Sequence, residues 1–234
     1  MLMLSVISQV VVARNEGDRL KGGSKRGAEC WREDASIPIS EAEGNMAEAA
    51  LRRMSLEEFL RWEDGTDTRY QLVEGMPQAM APPPPGHGIL SARLGGMIDV
   101  ALRSRRPCAV ESEAGIARRD RDDTCYIADL AVTCEPYRRG EQLLREPLLI
   151  IEILSPSTEA FDRKVKSPAY RQIASVGEIL LLDSESCYGE LLRRQGEDWL
   201  TELVLGQDAV LSFSSVPLKV AMSELYEGIE LGAL

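Results

Sequence analysis

The eight residues Pro147–Leu154, PLLIIEIL, limit what this chain can fold into more than any other stretch. The apolar run Leu148–Leu154 has Pro on both sides and is broken by one carboxylate, Glu152. A run this rich in Leu and Ile reads as a strand buried on both faces, which places it inside a sheet covered on both sides. A carboxylate in such a strand is costly to ionise unless a cation or hydrogen-bond donors compensate it. Arg163, Lys164 and Lys166 follow within a dozen or so residues, on a segment expected to become helical at Ser167-Pro168, where Pro suits a first turn. One reading is a core Glu tied to a structural cation. A second acid upstream argues for more: Tyr126–Thr133, YIADLAVT, is another largely apolar run with one carboxylate, Asp129. Two buried-type strands, each with one acid, followed by a lysine-bearing helix, describe a divalent-metal site.

The rest of the chain supplies a scaffold for these strands. Ser55-Leu-Glu-Glu58 is a capping box that starts a helix over Leu56–Trp62. Tyr70–Val73 and Pro77–Met80 form a hairpin around Glu74-Gly75, and the prolines 82–85 make a rigid spacer before a helix over His87–Leu102. Cys108–Glu113 and Gly115–Ala117 read as short strands, with Glu111 and Glu113 on an exposed face. Glu178–Asp183 reads as a buried strand, Tyr188–Arg194 with Trp199–Val204 as a hairpin turning at Gly196, and Val216–Val220 with a short helix at Met222–Tyr226 close the domain. This order predicts an α/β sandwich with a mixed central β-sheet flanked by helices, the Asp129 and Glu152 strands being neighbours. The domain spans 54–226. Residues 1–45, apolar over Met1–Ala13 and mixed in charge and aperiodic over Arg14–Gly44, are expected to be a disordered extension or a mis-assigned start, and 227–234 a C-terminal tail.

Composition narrows the function. The formal net charge is −11, and the region from Met46 holds 21 basic and 31 acidic residues, so the basic footprint of a nucleic-acid binder is missing. Any DNA contact must be local, metal-assisted or supplied by a partner chain. The five Cys residues, 30, 108, 125, 134 and 187, form no CxxC pair and suggest reduced thiols in a cytoplasm. With one His and scattered thiols, zinc is disfavoured. No apolar run reaches membrane-spanning length.

Seven pieces in order, MSLEEFLRWE, YQLVEGMP, MAPPPPGHG, YIADLAV, IIEILSPST, DRKVKSPAY and VGEILLLD, give Met54–Tyr226 a resemblance to the Uma2 family of restriction-endonuclease type. That family belongs to the PD-(D/E)xK nuclease-like fold. The resemblance implies a restriction-endonuclease-like sandwich and metal-dependent hydrolysis of DNA phosphodiester bonds, with Asp129 and Glu152 as the two acids and Lys166 as the lysine. Mg²⁺ is the implied ion, with Mn²⁺ as its alternative, and Glu74 matches a recurrent acid that would complete the metal shell. His87, Arg163 and Tyr170 are assigned to the substrate, Tyr170 lying four residues beyond Lys166 on one helix face.

Two positions depart from the family pattern. Ala128 stands where a Pro precedes the first acid, and Leu154 stands where the fold's usual lysine follows the second. The lysine role then falls to Lys166, in K-x-P-x-Y, with Lys164 as its rival. Two other readings stay open: a catalytically inactive nuclease-like module that binds a partner protein, and a homodimer using the late hairpin Tyr188–Val204 as its interface.

Overall fold

The computed structural model describes residues 53–231. The expected extension 1–45 lies outside them. A mixed sheet runs β2 (Met76–Ala79), β1 (Tyr70–Val73), β4 (Cys125–Thr133), β5 (Pro147–Leu154), β6 (Glu178–Asp183), β7 (Tyr188–Gln195) and β8 (Asp198–Leu205), and β3 (Ala109–Ala117) also pairs with β4. The β5–β6 pair is parallel and the other ladders of this sheet are antiparallel. β9 (Val210–Ser212) and β10 (Lys219–Ala221) form a separate two-stranded ribbon. The sequence reading anticipated the second of these strands and missed the first.

Alternation along β5 divides the core into two layers. Leu149, Ile151 and Ile153 pack with Leu90, Leu94, Ile98 and Leu102 of α2 (Pro85–Leu102). Ile150 and Leu154 pack on the opposite face with Tyr126, Tyr170 and Ile179. Glu152 shares the second set's parity, so it is aimed into a hydrophobic layer, as its sequence context predicts.

β3 and β4 exchange faces together at one point. On β3, Val110 faces the α2 layer, whereas Ala114 and Ile116 face the other; on β4, Tyr126 and Ala128 face one layer and Leu130 and Val132 the opposite one. The exchange falls at Glu113 and Asp129, opposite each other in register, and Glu113 takes a φ of 53°. A non-glycine residue in that conformation marks a local irregularity. What was expected as two short strands is therefore one strand with a kink.

The kink opens a gap in the sheet. Cys125 pairs with Ala117 of β3, so its partner Leu72 of β1 lies on the other edge of β4, the edge that β5 takes from Leu130 to Thr133. Between β1 and β5, residues 126–129 have no strand partner on that edge among the described residues. Buried backbone groups left by such a break must find side-chain partners.

The N-terminal capping box is present. Glu58 N–H donates to Ser55 Oγ at 3.2 Å, and Ser55 N–H to Glu58 Oε2 at 2.9 Å. The helix it starts, α1 (Leu56–Phe59), is shorter than expected. Ser55→Ala is expected to cost about 1 kcal/mol in urea unfolding.

Three expectations need correction. The helix near Ser167 begins earlier, as α3 (Glu159–Phe161), a π-helical turn (Asp162–Lys166) and α4 (Ser167–Tyr170). A Pro inside a helix lacks the N–H for an i−4 bond, and the wider turn before Pro168, with Ser167 N–H donating to Asp162 C=O, accommodates it. Cys108 and Cys134 form a disulfide, because the pairing of Ala109 with Thr133 brings their strand ends together; the reduced-thiol argument for a cytoplasm loses that pair. Cys125 and Cys187 are buried thiols. The supposed tail packs on the core through Ile229 and Leu231. Closing the fold is α5 (Met222–Leu225). Among the described residues no helix is long and apolar enough to cross a membrane.

Candidate active site

The gap in the sheet is filled by the two acids and the lysine that the sequence singles out. Asp129 Oδ2 accepts the Ile153 N–H at 2.6 Å, and Lys166 Nζ donates to the Ile127 carbonyl at 2.9 Å. These side chains take over a donor and an acceptor that a continuing β4–β5 ladder would have used. Lys166 Nζ also lies 3.1 Å from Glu152 Oε2 and 3.2 Å from Asp162 Oδ1. Tyr170 donates to Glu152 Oε1 at 2.6 Å. The π turn places Asp162 and Lys166 inward together, and such turns recur at functional sites.

Charge in this cluster is unbalanced. Glu152 is 1% exposed, and burial pushes its carboxyl up to about 8; Lys166 opposes the shift, while Asp129 and Asp162 add to it. Burial works against the Lys166 ammonium, but Glu152, Asp162 and Asp129 outweigh it, and the group holds its proton above the ordinary lysine range. Burial and the neighbouring Glu152 keep Tyr170 a phenol, well above its usual pKa. One cation thus serves three carboxylates.

On the far side of the gap, His87 Nε2 lies 3.1 Å from Asp129 Oδ2. With Asp129 as acceptor, Nε2 carries the proton. α2 starts two residues before the expected His87, because Pro85 suits a first helical position, so His87 stands within its first turn. A cavity of about 1040 Å³ opens over the cluster, lined by Asp129, Glu152, Lys166, His87, the proline segment and one face of α2.

The remaining assignments separate. Lys166 is buried and Lys164 exposed, and of the two it is Lys166 that the fold brings to the acids. Tyr170 is fully buried behind Glu152 and outside the cavity lining, so it supports that carboxylate and does not contact substrate from the cavity. Arg163 is bound to Glu159 and Glu190 and lies outside the lining as well. Glu74 occupies the β1–β2 turn with a φ of 49° and is not brought to the two acids. Among the described residues no three His, Cys, Asp or Glu side chains gather as a closed metal cage.

Sequence reasoning missed Asp162, although its spacing of four from Lys166 in DRKVK was a readable signal. Glu113, read as exposed, is exposed, and it also lies opposite Asp129 in register and lines the cavity. Ser155, Ser157 and Thr158 line it too.

An α/β sandwich with an acid pair and a lysine at a break in its mixed sheet has the architecture of the restriction-endonuclease-like class. The chain belongs to the Uma2 family, described as "Putative restriction endonuclease", whose model matches residues 56–223. It is 30% identical over 192 residues to "Uncharacterized protein slr1290" of Synechocystis, covering 77% of this chain and 95% of that one. A second Synechocystis protein, "Uncharacterized protein sll1609", is 24% identical over 173 residues, 72% of this chain and 97% of the other. Among solved structures, a "putative nuclease belonging to DUF820" from Anabaena variabilis superposes with a TM-score of 0.57 at 19% identity, covering 74% of this chain and 97% of that one. That likeness concerns the fold.

Proposed function

We propose that this protein is a Mg²⁺-dependent endonuclease hydrolysing phosphodiester bonds in DNA at the Asp129–Glu152 site. The observation that carries the reading is the pair of carboxylates sharing one cavity with a single lysine between three acids. Excess negative charge of this kind is what a second cation relieves. The donor set suits Mg²⁺, which takes one or two protein carboxylates, keeps several waters and accepts substrate phosphate oxygens. Asp129 and Glu152 would hold the ion, and Mn²⁺ suits the same donors. When bound, such an ion lowers the pKa of a water and stabilises charge developing on phosphate.

The chain's own groups hold the acids in place. Ile153 N–H and His87 fix Asp129 through Oδ2. Tyr170 and Lys166 fix Glu152 through its two oxygens. With three oxygens within 3.2 Å, the Lys166 ammonium is committed to the cluster, and its first role is to position Glu152.

Nicking of supercoiled plasmid tests this reading. Cleavage with Mg²⁺ or Mn²⁺ should vanish with EDTA and fall at least about 100-fold in Asp129→Asn, on the scale of losing one electrostatic catalytic group. Equal cleavage by both proteins would overturn it. An inert wild type would favour the nuclease-like binding module.

A further inference from the structure

Among the described residues two cations line the cavity: Lys166, buried in its cluster, and Arg69, paired with Glu113 at the exposed rim. Asp67, Glu113, Asp129, Glu152 and Asp162 line the same space. Duplex DNA packs one charge per ≈ 1.7 Å of axis, about twice the density of one strand, and is bound mainly by neutralising it. One buried lysine and one exposed arginine among five acids do not match that charge density.

Its neutral groups suit a single chain of phosphates better. Ser155 Oγ is 3.1 Å from both Ser157 Oγ and Thr158 Oγ1. Three hydroxyls joined by two hydrogen bonds keep one O–H to donate outward. Across the cavity, α2 presents Gly88, Ser91, Ala92, Gly95 and Gly96 at helical spacing. Gly95 is explained by packing, since a Cβ there would stand 3.1 Å from Leu130 Cδ2. Gly88 and Gly96 are not, because a Cβ at either meets nothing within 4 Å. Glycine weakens a helix interior, so an open face kept at that cost needs something outside the protein to lie on it. The adjoining His87, 8% exposed, lines the same cavity, and its buried Nδ1 has no hydrogen-bond partner among the described residues.

We infer that the cavity takes an unpaired polynucleotide strand, laid against the glycine face of α2 with its phosphates toward the Ser155–Thr158 hydroxyls. This rests on the nuclease reading and narrows its substrate to single-stranded DNA, or to single-stranded segments of a duplex. The exclusion of a duplex also follows from depth, because Glu152 lies at the floor with 1% of its surface exposed.

The test is fluorescence anisotropy of a labelled 12-mer, alone and annealed to its complement, in Mg²⁺, with a gel of each sample to report cleavage. The unpaired strand is expected to bind at least tenfold more tightly. Gly88→Leu and Gly96→Leu should each weaken that binding tenfold or more while leaving Tm equal or higher, since leucine favours the helix and its Cβ meets no neighbour within 4 Å. Val100→Leu, on α2 but outside the cavity lining, should change nothing. Equal affinity for the two forms, or binding that survives both glycine replacements, would overturn the inference. Retained preference with intact DNA on the gel would support the strand site and sink the nuclease reading instead, so the two fail separately.

Discussion

Lys166→Met is expected to destabilise the protein by about 3–5 kcal/mol at pH 9, the usual cost of removing one partner from a buried ion pair. The ammonium is 7% exposed and stands between Glu152 and Asp162, with the Ile127 carbonyl as its third contact. Methionine keeps the length and fills the space, so the loss isolates charge and hydrogen bonding from packing. It leaves two buried carboxylates facing each other and a backbone carbonyl unpaired where β4 and β5 part. The loss should shrink at pH 5, because Glu152 can then take a proton and give up its charge. Lys164→Met is the control: that side chain is exposed and its replacement should stay within about 0.5 kcal/mol. Urea unfolding of both variants at the two pH values reads the difference. An effect at Lys166 no larger than at Lys164 would show that the ammonium does not hold the cluster together. DNA cleavage should be lost in Lys166→Met and kept in Lys164→Met, since only the first displaces Glu152.

Much of this site was legible because burial leaves a strong mark on strands. Glu152 and Asp129 stand out in the sequence as single acids in apolar runs, and the structure places both at one break in the sheet. Lys166 was preferred to Lys164 on its K-x-P-x-Y context, but the π turn that carries it inward is one no periodicity announces. Asp162 was hidden by its neighbours, since a charged run such as DRKVK reads as a solvated face until two of its members turn inward. Glu178 shows the converse. It too is an acid in a buried strand, but Arg193, the Ser214 and Ser215 amides and the Ser215 hydroxyl satisfy it away from the cavity. Only the identity of the partners separates a structural carboxylate from a functional one. The kink at Glu113 and Asp129, and the disulfide beyond it, depend on cross-strand register, which a single sequence does not carry. The outer hairpin follows its turn signal closely: β8 is the edge strand, with Leu203 and Leu205 exposed.

Glu152→Gln is expected to act in the opposite direction from Lys166→Met, although it breaks the same pair. The cluster has three acids and one lysine, so removing Glu152 still leaves Lys166 with Asp162 and the Ile127 carbonyl. The sign of the pH effect follows from the raised carboxyl. Between its ordinary value of 4.5 and about 8, folded Glu152 holds a proton that the unfolded chain has released. Stability of the wild type therefore falls as pH rises through that window and levels off above it. The full displacement corresponds to roughly 5 kcal/mol, an upper bound that relaxation of the site reduces. Glutamine cannot ionise, so in EDTA the variant should match the wild type near pH 5 and exceed it by a few kcal/mol at pH 9. Adding Mg²⁺ should reverse that order, because an ion that binds only the folded wild type stabilises it in proportion to its occupancy. Paired urea titrations at pH 5 and 9, with EDTA and with Mg²⁺, give the four comparisons. A variant less stable than the wild type at pH 9 in EDTA would mean that Glu152 is a settled partner of Lys166. A more stable one that no longer responds to Mg²⁺ would mean that this carboxylate is held against its own solvation for the sake of a cation.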